Sequence, residues 1–402
     1  MGLLPGRLSP RLAEGVTRLA SGMPFAQAAE HLAFFWGVRL SASTIRQHTE
    51  AAGAAHVAVQ AAAVDRLERE APPAPPAAPR DGDPPLQQVS ADGAMVPLVG
   101  GEWAEVKTLV IGTLAPPGPT AATPGPHATD LTYFSRLADS DTFTRLATVE
   151  THRRGVATAG TVVGVMDGSL WLQGFLDYHR PDAVRILDFP HAVGHLATAA
   201  QATFGAGTEA AQAWLTAQAH TLRHDDPAQV LAALHALPTA SAPDPAAAAR
   251  AQAATLAYLA SRWEQIQYAA FRACGYPIGS GAVESANKLV VEARLKGSGM
   301  HWARRHVDPM VALRTVACAD RWADAWPQIV QQWRTQAAAQ RRQRQQARPP
   351  APAPPAPPTA PAKGRRSRAI PSLPPQRSGR PHPWRRPFAT TERIRQATAA
   401  KL

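Results

Sequence analysis

Proline sets the first limit on what this chain can fold into. Of 402 residues, 39 are proline, and they are unevenly placed. Residues 71–85, APPAPPAAPRDGDPP, contain seven of them. Proline fixes φ and has no N–H to donate, so such a stretch is excluded from helix interiors and central strands. It reads as a stiff linker and a domain boundary. The segment 347–402, rich in Pro, Ala and Arg, is low in complexity and is expected to be disordered. Regular structure therefore belongs to residues 1–70 and 86–346.

Charge follows the same division. The chain carries 42 Lys and Arg against 30 Asp and Glu, a net +12. From Arg334 onward there are 16 basic residues and one acid, Glu392, which leaves 26 basic and 29 acidic residues in 1–333. The folded part is nearly neutral and the tail is basic. A basic tail points to a polyanionic partner, most simply nucleic acid. The two cysteines, Cys274 and Cys318, have no neighbours at zinc-ligand spacing, which excludes a zinc ribbon or finger. They also make no disulfide framework, as expected of a reducing cytoplasm. No apolar run reaches the roughly 18 residues of a membrane span, and the N-terminus lacks a signal peptide's apolar core. A cytoplasmic, nucleoid-associated protein is expected.

Residues 9–54 read as three short helices, the last continuing to residue 70. A short turn between the second and third gives a helix-turn-helix-like pattern, which would offer Thr44, Arg46, Gln47 and Thr49 to a DNA groove. A plain helical bundle fits the same residues. After the linker, LQQVSADGAMVPL (86–98) reads as a strand, a turn at Asp92–Gly93 and a further short strand. EVKTLVIGTL (105–114) is a third strand, and a loop follows over 116–129. A helix over 139–155 precedes GTVVGVMDG (160–168), a buried strand ending at Asp167. A short helix or turn then leads to AVRILDFPH (183–191), a strand running into Asp188 and His191. Residues 192–275 are Ala-rich and helical.

The stretch PIGSGAVESANKLVVEARLKGSGMHW (277–302) reads as a glycine-rich turn feeding a helix, with Ser280 as its N-cap. Val283, Leu289, Val290 and Val291 among Glu284, Asn287 and Lys288 give that helix two sides. Two strands ending in Asp-Gly, at Asp92 and Asp167, would place carboxylates at the sheet edge, where α/β sites form. Glu284 on the helix would complete a set. Carboxylates without Cys or His partners suit hard cations, Mg²⁺ or Mn²⁺, and two such ions can drive phosphoryl transfer. Further on, Trp302 lies among Arg294, Lys296, Arg304 and Arg305, a pattern that suits either stacking on an unpaired base or core packing.

SADGAMVPLVGGEWAEVKTLVIGTL, the VMDG strand, RILDFPHAVGHL and YPIGSGAVESANK together resemble the ISKra-type bacterial insertion-sequence transposases, DDE enzymes of the Mutator-like superfamily. The resemblance runs from about residue 5 to HPWRRPF at 382–388. It implies an α/β fold: an RNase H-like mixed sheet core (86–191), a large all-helical insertion (192–275) and core helices carrying the catalytic Glu (276–346). A small helical domain (1–70) and linker (71–85) would precede these, and the basic tail (347–402) would follow. It implies Asp92, Asp167 and Glu284 as catalytic and metal-binding residues, with two Mg²⁺ or Mn²⁺ ions. Asp188 and His191 match the superfamily's Asp/Cys-x-x-His motif. Asp188 also ends a strand and stands as the alternative to Asp167. Asp167 is preferred because its strand comes first and because Asp188 is accounted for with His191.

The implied partner is double-stranded DNA, both terminal inverted repeats and target, bound by a homo-oligomer. Its contacts are expected at His191, Asp188, Lys288, Arg294, Lys296, Trp302, Arg304, Arg305, Arg46 and Gln47. Family members begin further upstream, so an N-terminally shortened copy is expected. The competing reading is a catalytically inactive DNA-binding relic or regulator, which has no use for the carboxylates. Removing residues 347–402 is expected to weaken binding to any DNA and flatten its salt dependence, because fewer counterions are released. Cleavage of a saturating substrate should persist. An unchanged slope of log affinity against log salt would make the tail a bystander.

Overall fold

The computed structural model describes residues 4–5, 8–70, 81–82, 86–114 and 126–347. The proline linker, apart from residues 81–82, and the basic tail beyond 347 lie outside the described residues. The elements are α1 (Pro10–Gly22), α2 (Phe25–Trp36), α3 (Ala42–Glu70), β1 (Leu86–Pro97), β2 (Trp103–Leu114), β3 (Ala128–Arg136), α4 (Ser140–Arg153), β4 (Thr161–Met166), α5 (Leu170–His179) and β5 (Val184–Leu187). Then come α6 (Phe189–Phe204), α7 (Glu209–His224), α8 (Pro227–His235), α9 (Pro245–Ala260), α10 (Tyr268–Ala273), α11 (Gly281–Ala286), α12 (Ala293–Leu295), α13 (Arg304–Cys318) and α14 (Trp322–Gln346). A π-helical stretch, Asn287–Glu292, joins α11 to α12.

The protein is a mixed α/β structure. Its five-stranded sheet has the order β3-β2-β1-β4-β5. β1, β2 and β3 are antiparallel neighbours, while β4 runs parallel to β1, and β5 parallel to β4. The period-2 alternation of side chains divides the two faces. Val89, Ala91, Leu109 and Phe134 pack on one face against Phe143, Leu172, Phe175 and Leu176 of α4 and α5. On the other face, Ala94, Val96 and Val106 meet Val283, Ala286, Val290 and Leu295 of the 281–295 helix and Val307, Met310 and Val311 of α13. The β4–β5 half of that face, through Val163, Val165 and Ile186, packs on Leu196, Leu222, Val230 and Leu259 of α6–α9. Helices α1–α3 share a further core with Leu313, Trp322, Trp326 and Trp333 of α13 and α14. Each fully buried aliphatic or Phe side chain is worth about 1.5–3 kcal/mol of transfer free energy.

Several expectations need correction. Asp92–Gly93 is not a turn: β1 is paired with β2 without interruption from Gln87↔Thr113 to Pro97↔Trp103. Gly93 leaves room for the Glu105 side chain, which is salt-bridged to Lys107 and would have to move aside for a Cβ there. The third strand is β3, over residues read partly as loop. It is an edge strand whose first half is largely exposed, so its apolar signal is confined to residues 132–136. Ser280 makes no side-chain cap; its hydroxyl donates instead to Glu284 Oε1 at 3.0 Å.

Trp302 and Arg294, expected at a DNA surface, are core residues, 7% and 2% exposed. The Trp302 indole N–H donates to the Leu295 carbonyl, and its backbone bridges to Leu98 beside β1. The Arg294 guanidinium stacks on Phe25 and Trp302 and donates to the Ala20 carbonyl. Its long apolar stem lets it serve as packing, and burial lowers its pKa to about 10. Trp302→Ala should therefore cost about 3–5 kcal/mol of stability, read from the urea midpoint. A base-stacking Trp302 would instead lose DNA affinity at unchanged stability.

Candidate active site

The parallel strands place the aspartates. β1 and β4 pair through Gln88↔Val163 and Val89↔Gly164, and β4 and β5 through Val163↔Val184 and Met166↔Leu187. Continuing those registers brings Asp92, Asp167 and Asp188 to one level on three adjacent strand lines. Alternation puts all three on the same face of the sheet. Adjacent strands lie about 4.8 Å apart. The β1–β4 pairing stops at Val89 and Gly164 while β1 continues along β2, so a crevice opens where Asp92 and Asp167 emerge. Such crevices outside the carboxyl ends of parallel strands are the usual place for a site in an α/β sheet.

Asp92 has a raised pKa. Burial pushes its pKa up, the Gly93 backbone N–H and the Asn287 amide pull it down, and the charges of Asp167 and Glu105 push it up. Asn287 Nδ2 donates to Asp92 Oδ2 at 2.9 Å, and Asn287 Oδ1 is buried without a partner. Asn287 lies one turn after Glu284, so this bond docks the Glu284 helix on β1. The sequence reading missed Asn287. Its signal was the i, i+3 spacing from Glu284 on a helix already suspected of facing the sheet.

Asp188 has a different task. Its Oδ2 accepts the His191 N–H at 3.0 Å, capping α6, and its Oδ1 accepts the Ser280 N–H at 2.6 Å. It is buried, with both oxygens engaged. These bonds staple β5 and α6 to the turn before Glu284. Asp167 is half-buried, and its Oδ1 accepts the Ser169 N–H at 2.8 Å. Glu284 is exposed and lines a groove of about 420 Å³ with Asp188, His191, His195 and Thr198. Among the described residues no three His, Cys, Asp or Glu side chains are close enough to hold a metal ion together. Asp167 lies near enough to Asp92 for its charge to act on it.

The donor set fits a hard cation. Asp92, Asp167 and the unpartnered Asn287 Oδ1 are all oxygen donors, and Asp92 is held where its charge needs compensation. A second cavity, lined by His56, Glu150, Arg153 and Arg321 among others, shares no residue with this crevice.

Of the expected DNA contacts, Arg46, Gln47, His191, Lys288, Lys296, Arg304 and Arg305 are exposed. Arg46 at the start of α3 and Arg305 at the start of α13 both lower the pKa of Glu50, which burial otherwise raises. Two of the expected bases thus converge on one surface. Thr49, expected to face a groove, is buried and bonds to the Ile45 carbonyl. No helix among the described residues is long and apolar enough to cross a membrane.

No protein-family model matches the chain, and no curated protein matches it either. The likeness to insertion-sequence transposases rests on the sequence motifs.

A raised carboxyl pKa favours the fold in its protonated form. That contribution is present below the unfolded value and is lost as pH rises through the folded pKa. Asp92→Asn removes the penalty and can satisfy Asn287 Oδ1. The variant should melt higher than wild type at pH 7 in metal-free buffer, and the gap should shrink as pH falls toward 4. A gap that is independent of pH would contradict this account.

Proposed function

We propose that this chain is a DDE-type DNA transposase with an RNase H-like core, cutting the ends of a bacterial insertion sequence and transferring the 3′-hydroxyl strand to target DNA. The observation that carries the reading is the register that sets Asp92 and Asp167 level on one face, with the Glu284 helix bonded to Asp92 through Asn287. A mixed sheet followed by an all-helical insertion before that helix accords with what the sequence resemblance implies.

Asp92 and Asp167 would hold Mg²⁺ or Mn²⁺, with Glu284 reaching in from across the groove. When bound, two such ions activate a water or 3′-hydroxyl and neutralise the leaving oxygen. The chain's own work is positioning. Asn287 orients Asp92, and Asp188 fixes the turn from which the Glu284 helix starts. Exposed Arg46, Gln47, Lys288, Lys296, Arg304, Arg305 and His191 would hold phosphates of double-stranded terminal repeats and target. A homo-oligomer on DNA in the cytoplasm, associated with the nucleoid, completes the proposal.

The second reading is a catalytically inactive DNA-binding relic, which has no use for the carboxylates. Nicking at an element end with Mn²⁺ separates the two. Asp92→Asn, Asp167→Asn and Glu284→Gln should each cut at least about 10²-fold more slowly, with end binding retained. Equal nicking by all four proteins would defeat the catalytic assignment. A silent wild type that binds ends would select the relic.

A further inference from the structure

The helical insertion reaches the turn that carries Asp167 through α9. Tyr258, on α9, donates its hydroxyl to the main-chain carbonyl of Asp167 at 2.8 Å. Arg262, just past the end of α9, donates to the next carbonyl, Gly168 O, from Nη2 at 2.8 Å and from Nε at 3.3 Å. Two side chains thus hold two successive carbonyls of the turn that carries Asp167. They also hold each other. The Arg262 guanidinium carbon lies 3.8 Å from the centroid of the Tyr258 ring, and Arg262 Nη1 donates to the Tyr258 carbonyl at 3.1 Å. The His195 ring stacks on Tyr258 with centroids 3.7 Å apart. Burial raises the Tyr258 pKa, which keeps the hydroxyl protonated and able to donate.

The turn is shaped to receive this pair. Gly168 has φ +81°, and a Cβ there would lie 2.8 Å from Arg262 Nε and 2.9 Å from Tyr258 Oη. Only glycine fits both the backbone conformation and the space. On the other side of the same turn, the Ser169 N–H donates to Asp167 Oδ1, so the turn's shape fixes the carboxylate's direction.

We propose that Tyr258 and Arg262 are positioning residues through which the helical insertion governs Asp167, so that a shift of α9 alters cation affinity at the site. The clamp stands on the contacts above, and its effect on cations rests on the metal-dependent reading of the site. Tyr258→Phe removes the hydroxyl and keeps the stacked ring. Arg262→Ala removes both bonds to Gly168, and Arg262→Lys restores one donor.

Amide hydrogen exchange on the full chain, without metal, tests the clamp itself. Exchange at Ser169 should quicken about fivefold in Tyr258→Phe, the net worth of one hydrogen bond, and more in Arg262→Ala, with recovery in Arg262→Lys. Protection in β4 and in the rest of α9 should not change. Unchanged exchange at Ser169, or faster exchange spread through β4 and α9, overturns the proposal. Mn²⁺ titration then reads the consequence. The loss of an orienting partner predicts a 10–100-fold weaker affinity and a matching rise in the Mn²⁺ needed for nicking, at unchanged KM for DNA. Quickened exchange with wild-type Mn²⁺ affinity overturns control of the cation by α9. Quickened exchange in a protein whose wild type binds no Mn²⁺ upholds the clamp and defeats the metal reading.

Discussion

The short parallel pairing of β1 with β4 is the constraint on which the rest depends. Its register, Val89 opposite Gly164, decides which residues emerge together where the pairing ends. A slip of one residue would turn one aspartate to the opposite face, because the side-chain period of a strand is two. The antiparallel pairing of β1 with β2 lets β1 run past that point, so Asp92 is supported by a continuous ladder while standing at an open edge. The apolar alternation of Val163 and Val165 against Val162 and Met166 holds β4 to its register, since each set has its own core to fill.

Around that level, polar groups are used as fasteners. Asn287 bonds the helix to Asp92, and Asp188 bonds α6 to the turn before that helix. Arg294 is held between two aromatic rings and ties the same helix to α1. Such groups are costly to bury alone and specific once paired. They fix how the 281–295 helix sits on β1, α6 and α1, which dispersion and burial alone would leave free to slide.

Much of this was legible in the sequence where periodicity carried it. The strands ending at Met166 and Leu187, the all-helical 192–275 region and the helix bearing Glu284 follow from apolar alternation, Ala content and the glycine turn. The sequence failed where one local signal had two physical causes. Asp-Gly is a turn signal at Asp167, where Gly168 has positive φ, and a mid-strand pair at Asp92, where the glycine makes room for Glu105. Basic residues around a tryptophan read as a surface, yet Arg294 and Trp302 bury each other. β3 escaped because an edge strand with a largely exposed first half has little alternation to show. Asp188 offered the same strand-end pattern as Asp167, and only its two backbone partners separate their roles.

The π-helical stretch Asn287–Glu292 has a bearing on which sequence changes this chain can accept. A π turn accommodates one more residue than an α turn over the same contact. Each residue in an α-helix advances about 100°, as 3.6 residues complete a turn. Losing one residue between 288 and 292 would close the π turn to an α turn and leave the segments on either side in phase, whereas the same loss from a regular helix would rotate one side by about 100° against the other. In related chains, a single-residue gap should therefore be accepted in this stretch, a slack in length that the regular helices lack.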